Sequence, residues 1–208
     1  MLRQAKSLRG LNCKLFIAPK KNTCTSFVIA GIFRFLPAIP IFSTLPEYLF
    51  MKTAIMGFGN PTRSDDAVGI HAIELLRSRL AMLPNRDNIS LLDMGTSAFE
   101  VLFQLKGHER IILIDAVVNT GESVGTLYKV PASEIESTPQ DDPMVFLHSI
   151  KWDQALSYAK KILRDEYPSD IQAYLIAVDN TRMDINLSDA AKQAAERVVE
   201  LICEVLHE

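Results

Sequence analysis

Residues 53–69 read TAIMGFGNPTRSDDAVG. A short apolar run leads into Gly57-Phe58-Gly59-Asn60-Pro61, and two adjacent carboxylates, Asp65 and Asp66, stand where a helical pattern begins. Apolar run, Gly-rich turn and helix start together read as the first β-α unit of an α/β domain. The glycines permit a tight turn and close backbone approach at the carboxyl end of the strand. In open α/β sheets that edge is where ligands bind. Asp66 and its neighbours are therefore expected at the centre of the chemistry.

Working downstream, residues 66–82 place Val68, Ala72, Leu75, Leu76 and Leu80 on one helical face. Ser64 is the expected N-cap of that helix, and Asp65 and Asp66 suit its positive end. Residues 83–88 are turn-like, 89–92 form a second strand, and Asp93 closes it. Thr96 or Ser97 is expected to cap a second helix with Ala98, Val101, Leu102 and Leu105 inward. Residues 110–114 are a third strand ending at Asp115. After a polar turn, 124–130 read as a strand, and so short a return predicts an antiparallel neighbour. Residues 133–143 are an acidic loop with Ser and Pro. Residues 149–164 form a helix with Trp152, Ala155, Leu156, Ala159 and Leu163 inward, 171–178 are the last strand, and 188–206 a closing helix. This alternation predicts a three-layer α/β/α sandwich over a mostly parallel, mixed five-stranded sheet.

Upstream the chain changes character. Residues 1–50 hold seven of the 22 Lys/Arg and one of the 25 Asp/Glu, so a net +6 segment precedes a net −9 remainder. Such a break marks a boundary. Residues 27–45 are apolar, but Arg34, Pro37 and Pro40 interrupt them. A membrane span needs about 20 largely apolar residues, and a central Arg costs about 2.5–3.5 kcal/mol. A targeting segment and a peripheral anchor compete with a start at Met51, which opens a complete domain pattern. The last is preferred: 1–50 is read as an upstream extension, disordered or preceding a mis-assigned start, and 51–208 as the domain. The whole chain of 208 residues has a net charge of −3, which gives no reason to expect nucleic acid. Cys13, Cys24 and Cys203 form no CxxC or Cys/His cluster, which argues against a structural zinc, an Fe–S site or a disulfide framework. So sparse a set fits a reducing cytoplasm.

Three polar residues fall where this topology puts sites. Asp66 follows strand one, Asp115 ends strand three, and His148 opens the helix after the acidic loop. Two carboxylates and an imidazole suit a divalent metal such as Ni or Zn and leave coordination positions open. Each has a plainer reading. A carboxylate in a first helical turn serves the dipole and the cap, which is the better account of Asp65 and a close contest for Asp66. Asp115 could simply end a buried strand, although a carboxylate there is costly unless paired or wet. His148 alone reads as a core histidine. Only the combination is hard to dismiss. His71, His108 and His207 receive no role, Asp93 is an alternative acid, and Trp152 is read as core. A dinucleotide site is ranked low. Gly57-Phe58-Gly59 begins like GxGxxG, but Thr62 takes the third Gly position and Asp65 and Asp66 would repel a pyrophosphate.

The runs GFGNPTRSDDAVG, LLDMGTSAFEVL, RIILIDAV, GTLYKV and HSIKWDQAL, in that order over about residues 51–206, resemble the hydrogenase maturation protease family. The resemblance implies an endopeptidase that removes the C-terminal extension of a nickel-iron hydrogenase large-subunit precursor after nickel insertion. Its nickel-recognising acid, acid and histidine fall on Asp66, Asp115 and His148. Nickel is then expected to arrive with the substrate rather than to be held tightly by the enzyme. Asp66 and Asp115 become the candidate catalytic carboxylates. A cytoplasmic monomer with no stable membrane insertion is expected. The competing class is a catalytically silent chaperone that binds a metallated hydrogenase subunit.

Overall fold

The computed structural model describes residues 3–4, 14–16, 51–81, 86–134 and 151–207. Seven strands form one sheet: β1 (Arg3–Gln4), β2 (Lys14–Phe16), β3 (Thr53–Phe58), β4 (Ile89–Gly95), β5 (Arg110–Val118), β6 (Leu127–Pro131) and β7 (Asp170–Ala177). The order is β2-β6-β7-β5-β3-β4, with β1 added parallel to β5 at Val117 and Val118. The five strands from β3 onward are the expected mixed sheet: β4, β3, β5 and β7 run parallel, and β6 is antiparallel to β7. β2 extends the β6 edge antiparallel, pairing Lys14–Phe16 with Leu127–Lys129.

Burial on both faces explains the strand sequences. All six residues of β3 are buried, as are Ile111 to Val117 of β5. Such continuous apolar runs belong to strands covered on both sides. One face packs Ile55, Ile112, Ile114 and Ile176 against α1 (Val68–Leu80) and α4 (Asp189–His207). The other packs Met56, Phe58, Leu113 and Leu175 against α2 (Val101–Gln104) and α3 (Trp152–Leu163). The α/β/α layering therefore stands.

Several boundaries differ from expectation. β5 does not end at Asp115 but continues to Val118, so Asp115 is an interior strand residue paired with Leu175. β4 likewise continues past Asp93 to Gly95. β6 starts at Leu127, and Gly125, at φ +84°, belongs to the turn before it. β6 is antiparallel as expected, but its partner is β7, which is inserted between β6 and β5. A short return fixes the direction of a strand, not its neighbour. The second helix is a single turn led by Glu100, so Thr96 and Ser97 do not cap it. Most of the upstream extension and most of the acidic loop, with His148, lie outside the described residues.

The crossovers position the site. The connection from β3 leads to β4 on one side and that from β5 leads to β6 and β7 on the other, so the switch point lies between β3 and β5. Gly69, in the first turn of α1, packs against the carbonyl oxygens of Phe58 and Ile114. A Cβ there would overlap both, so the glycine lets the helix start cross directly over the ends of β3 and β5.

Candidate functional site

After Phe58 the chain turns through Gly59, whose φ of +148° favours glycine and whose N–H donates to the Gly95 carbonyl at 2.9 Å. Asn60 Oδ1 accepts from the Thr62 N–H at 3.0 Å and from its hydroxyl at 2.7 Å, closing an Asx turn. Pro61 and Thr62 lead into a 3-10 turn, Ser64–Ala67, that precedes α1. The α1 N-cap is Ala67, without a side-chain bond. Ser64 is therefore not the cap. Its φ is +48°, its hydroxyl donates to the Asn186 carbonyl at 2.8 Å and it accepts from Asn180 Nδ2 at 2.9 Å.

This turn is fastened to residues 180–188. The Ser64 N–H donates to the Asp184 carbonyl at 2.7 Å, and the Asp184 N–H returns to Thr62 at 3.1 Å. The two adjacent carboxylates then part company. Asp65 is fully buried, and its Oδ1 and Oδ2 accept from the Ser188 N–H at 2.6 Å and hydroxyl at 2.8 Å. The same Ser188 hydroxyl accepts from the Ala191 N–H, as an N-cap does. Asp65 thus sits at the positive end of α4, not of α1. It is an anchor between two loops, and not the dipole or cap residue of α1 that its plainer reading made it.

Asp66 is 1% exposed and Asp115 fully buried. Asp66 belongs to the turn that leaves β3, and Asp115 to β5, one residue past Ile114, which pairs with Gly57. Asp115 Oδ1 accepts from the Ala116 N–H at 2.8 Å, and Oδ2 from Trp152 Nε1–H at 2.9 Å. Burial pushes the Asp115 carboxyl up to about 7, and the nearby Asp66 charge adds to the rise. The Trp152 and Ala116 donors hold it lower than burial alone would. A buried carboxyl raised by desolvation and by a neighbouring carboxylate's charge is one whose ionised form a cation would favour.

The other titratable residues stand apart. Asp93 is exposed and accepts from the Gly95 N–H at 2.9 Å, so it caps its own turn. His108 is held between the Gln104 carbonyl at 3.0 Å and the Ser90 hydroxyl at 3.1 Å, a structural role. His71 lies 3.8 Å from Glu74 on the surface of α1. His148 falls outside the described residues, and among the described residues no three metal-binding side chains cluster.

Trp152 is core, as expected, at 1% exposure, with its ring stacked on Phe58 at 6.3 Å. Its contact with Asp115 was not anticipated. The sequence held one signal for it. A buried indole needs an acceptor for its N–H, and this single tryptophan stands four residues after His148 in HSIKW.

Residues 70–205 match the family model for hydrogenase maturation proteases. The hydrogenase 2 maturation protease of Escherichia coli strain K12 is 26% identical over 161 residues, spanning 76% of this chain and 92% of that protein. The solved hydrogenase maturating endopeptidase HybD from E. coli superposes with a TM-score of 0.60 at 24% identity, over 76% of this chain and 93% of that one. The hydrogenase maturation protease HycI from Thermococcus kodakarensis KOD1 has a TM-score of 0.59 at 23% identity, over 76% and 94%. These structures share the fold, and the family match spans well over half of the sequence. The chain accordingly belongs to the hydrogenase maturation protease family and is a peptidase.

Proposed function

We propose that this peptidase trims the C-terminal extension from a nickel-loaded hydrogenase large-subunit precursor, and that Asp66, Asp115 and His148 recognise the nickel. The observation that supports the site is the burial of two carboxylates together at the β3/β5 switch point. Burial resists the ionisation of Asp115, whose carboxyl is raised to about 7, and the Asp66 charge adds to the rise. A dication brought by the substrate relieves both costs. Precursor without nickel offers no such compensation, so cleavage is licensed by a required partner group.

Nickel is here part of the substrate. Asp66 and Asp115 supply carboxylate oxygens and His148 an imidazole nitrogen, leaving positions that the precursor's own ligands fill. Hydrolysis needs water to attack the scissile carbonyl, a base to take its proton, and an acid to return a proton to the leaving amine. Asp66 and Asp115 are the candidate carboxylates for the base. Among the described residues no helix is long and apolar enough to cross a membrane. A cytoplasmic monomer meeting its precursor there is the arrangement we favour.

The test is mass spectrometry of a precursor large subunit from the same organism, incubated with the chain, with and without nickel. Loss of a C-terminal peptide from the nickel-loaded form alone is expected. Equal cleavage of both forms would remove the licensing step. Nickel-dependent complex formation without cleavage would point instead to a silent binding protein.

A further inference from the structure

Trp152 is the first residue of α3 and the chain's only tryptophan. It reaches from the helical layer to the sheet and donates its indole N–H to Asp115 Oδ2 at 2.9 Å. Both residues are shut off from solvent, at 1% and 0% exposure. On the other side, Asp115 Oδ1 accepts the Ala116 N–H at 2.8 Å. The carboxylate is thus gripped through both oxygens, by the backbone of its own strand and by a side chain of another layer.

The indole is fixed in turn. Its ring stacks on Phe58, the last residue of β3, at 6.3 Å with 28° between the planes. Lys151, just before it, is extended and donates its N–H to Gln154 Oε1 at 3.0 Å, which sets where α3 begins. A ring packed between β3 and α3 holds its N–H direction to within a narrow range. Each Asp115 oxygen still has a lone pair beyond the one used. The donors therefore leave the carboxylate able to ligate while stopping its rotation.

We propose that Trp152 is a positioning residue for metal recognition: its indole N–H fixes the Asp115 carboxylate in the orientation that meets a divalent cation. It touches neither substrate nor metal and acts through Asp115. Hydrogen bonds to metal-binding carboxylates are worth about 10–100-fold in affinity or activity. The proposal rests on the nickel-recognition reading of Asp115, and its test separates the two.

The experiment exploits the single tryptophan. Residue-wide replacement by β-(3-benzothienyl)alanine changes only position 152, keeps the bicyclic shape and puts sulfur where the N–H was. Three forms of the full chain are compared: natural, benzothienyl and Trp152→Phe. Ni2+ alone is titrated calorimetrically, the melting temperature is measured without metal, and kcat/KM is measured on nickel-loaded precursor. The benzothienyl form should bind Ni2+ about 10–100-fold more weakly, and lose kcat/KM in step, while its metal-free melting temperature stays close to the natural one. Unchanged nickel affinity in the benzothienyl form would overturn the proposal and leave Trp152 as core. So would a loss confined to Trp152→Phe, because volume and not the N–H would then be responsible. A natural chain that binds no Ni2+ at millimolar concentration would overturn it too. Failure of the natural chain to cleave would count against the function above, while the nickel titrations still decide the role of Trp152.

Discussion

Both oxygens of Asp65 are occupied by Ser188, at 2.6 and 2.8 Å, whereas the charge of its neighbour Asp66 bears on Asp115. The two should respond oppositely to substitution. Asp65→Ala removes two hydrogen bonds to a charged group and leaves the Ser188 N–H without its acceptor, a loss of about 2–3 kcal/mol in denaturant unfolding. Asp66→Asn should leave stability nearly unchanged and abolish trimming of the precursor. A stable, active Asp65→Ala chain would dismiss the anchor, and a strongly destabilised Asp66→Asn chain would show a structural carboxylate. Asp115 predicts a pH dependence. Its carboxyl stands at about 7 in the fold against an ordinary 3.8, so the folded chain holds the proton more tightly than the unfolded chain does. That contribution is fully present below about pH 4 and is lost as the pH rises through about 7. Relative to the natural chain, Asp115→Asn should therefore gain stability between pH 5 and pH 8. A stability difference that is equal at both pH values would rule out a raised carboxyl.

At the scale of elements, the α1 start is the tightest joint. Gly69 touches the carbonyl oxygens of Phe58 and Ile114, neither of which can retreat from a paired strand. Gly69→Ala should cost about 1–3 kcal/mol or more and should lower cleavage, because lifting α1 also lifts the turn that carries Asp66. Retained melting temperature and activity would show that the joint can relax. The same joint shows what was legible in advance. Strand, Gly-rich turn and helix were readable at residues 53–69 because apolar run and punctuation are local signals. The placing of two buried carboxylates, Asp66 and Asp115, beside the β3/β5 switch point followed from one topological rule. Non-local partners were not readable: nothing near Asp65 announces Ser188, 123 residues away. Ser64 looked like a cap because caps are recognised by type and spacing, yet its hydroxyl bonds Asn186. Trp152 looked like core because burial hides which acceptor its N–H has found. The neighbour of β6 was missed for a similar reason, since β7 enters between β6 and β5 only after a long excursion.

For the whole molecule, the boundary at Met51 is the property most open to test. Among the described residues, both apolar clusters are built from residues after it: one runs from Ala54 to Ala177, the other from Ile55 to Ile202. Each sheet face is thus covered by helices that follow Met51, and so are the turn of Asp66, the strand of Asp115 and the helix of Trp152. Against this, β1 adds two residues beside β5, and β2 covers three residues of the β6 edge. Among the described residues, five residues of upstream strand pairing are small beside two apolar cores, since each fully buried Ile, Leu or Phe contributes about 1.5–3 kcal/mol. A chain beginning at Met51 should therefore fold, melt within a few degrees of the longer one, and trim nickel-loaded precursor at the same rate. The β6 edge sets the sharper contrast. If β2 shields it, the shorter chain will aggregate through that exposed strand while keeping its activity when freshly prepared. A shorter chain that is folded yet inactive would assign the upstream residues to the site itself, where β1 meets β5 two residues beyond Asp115.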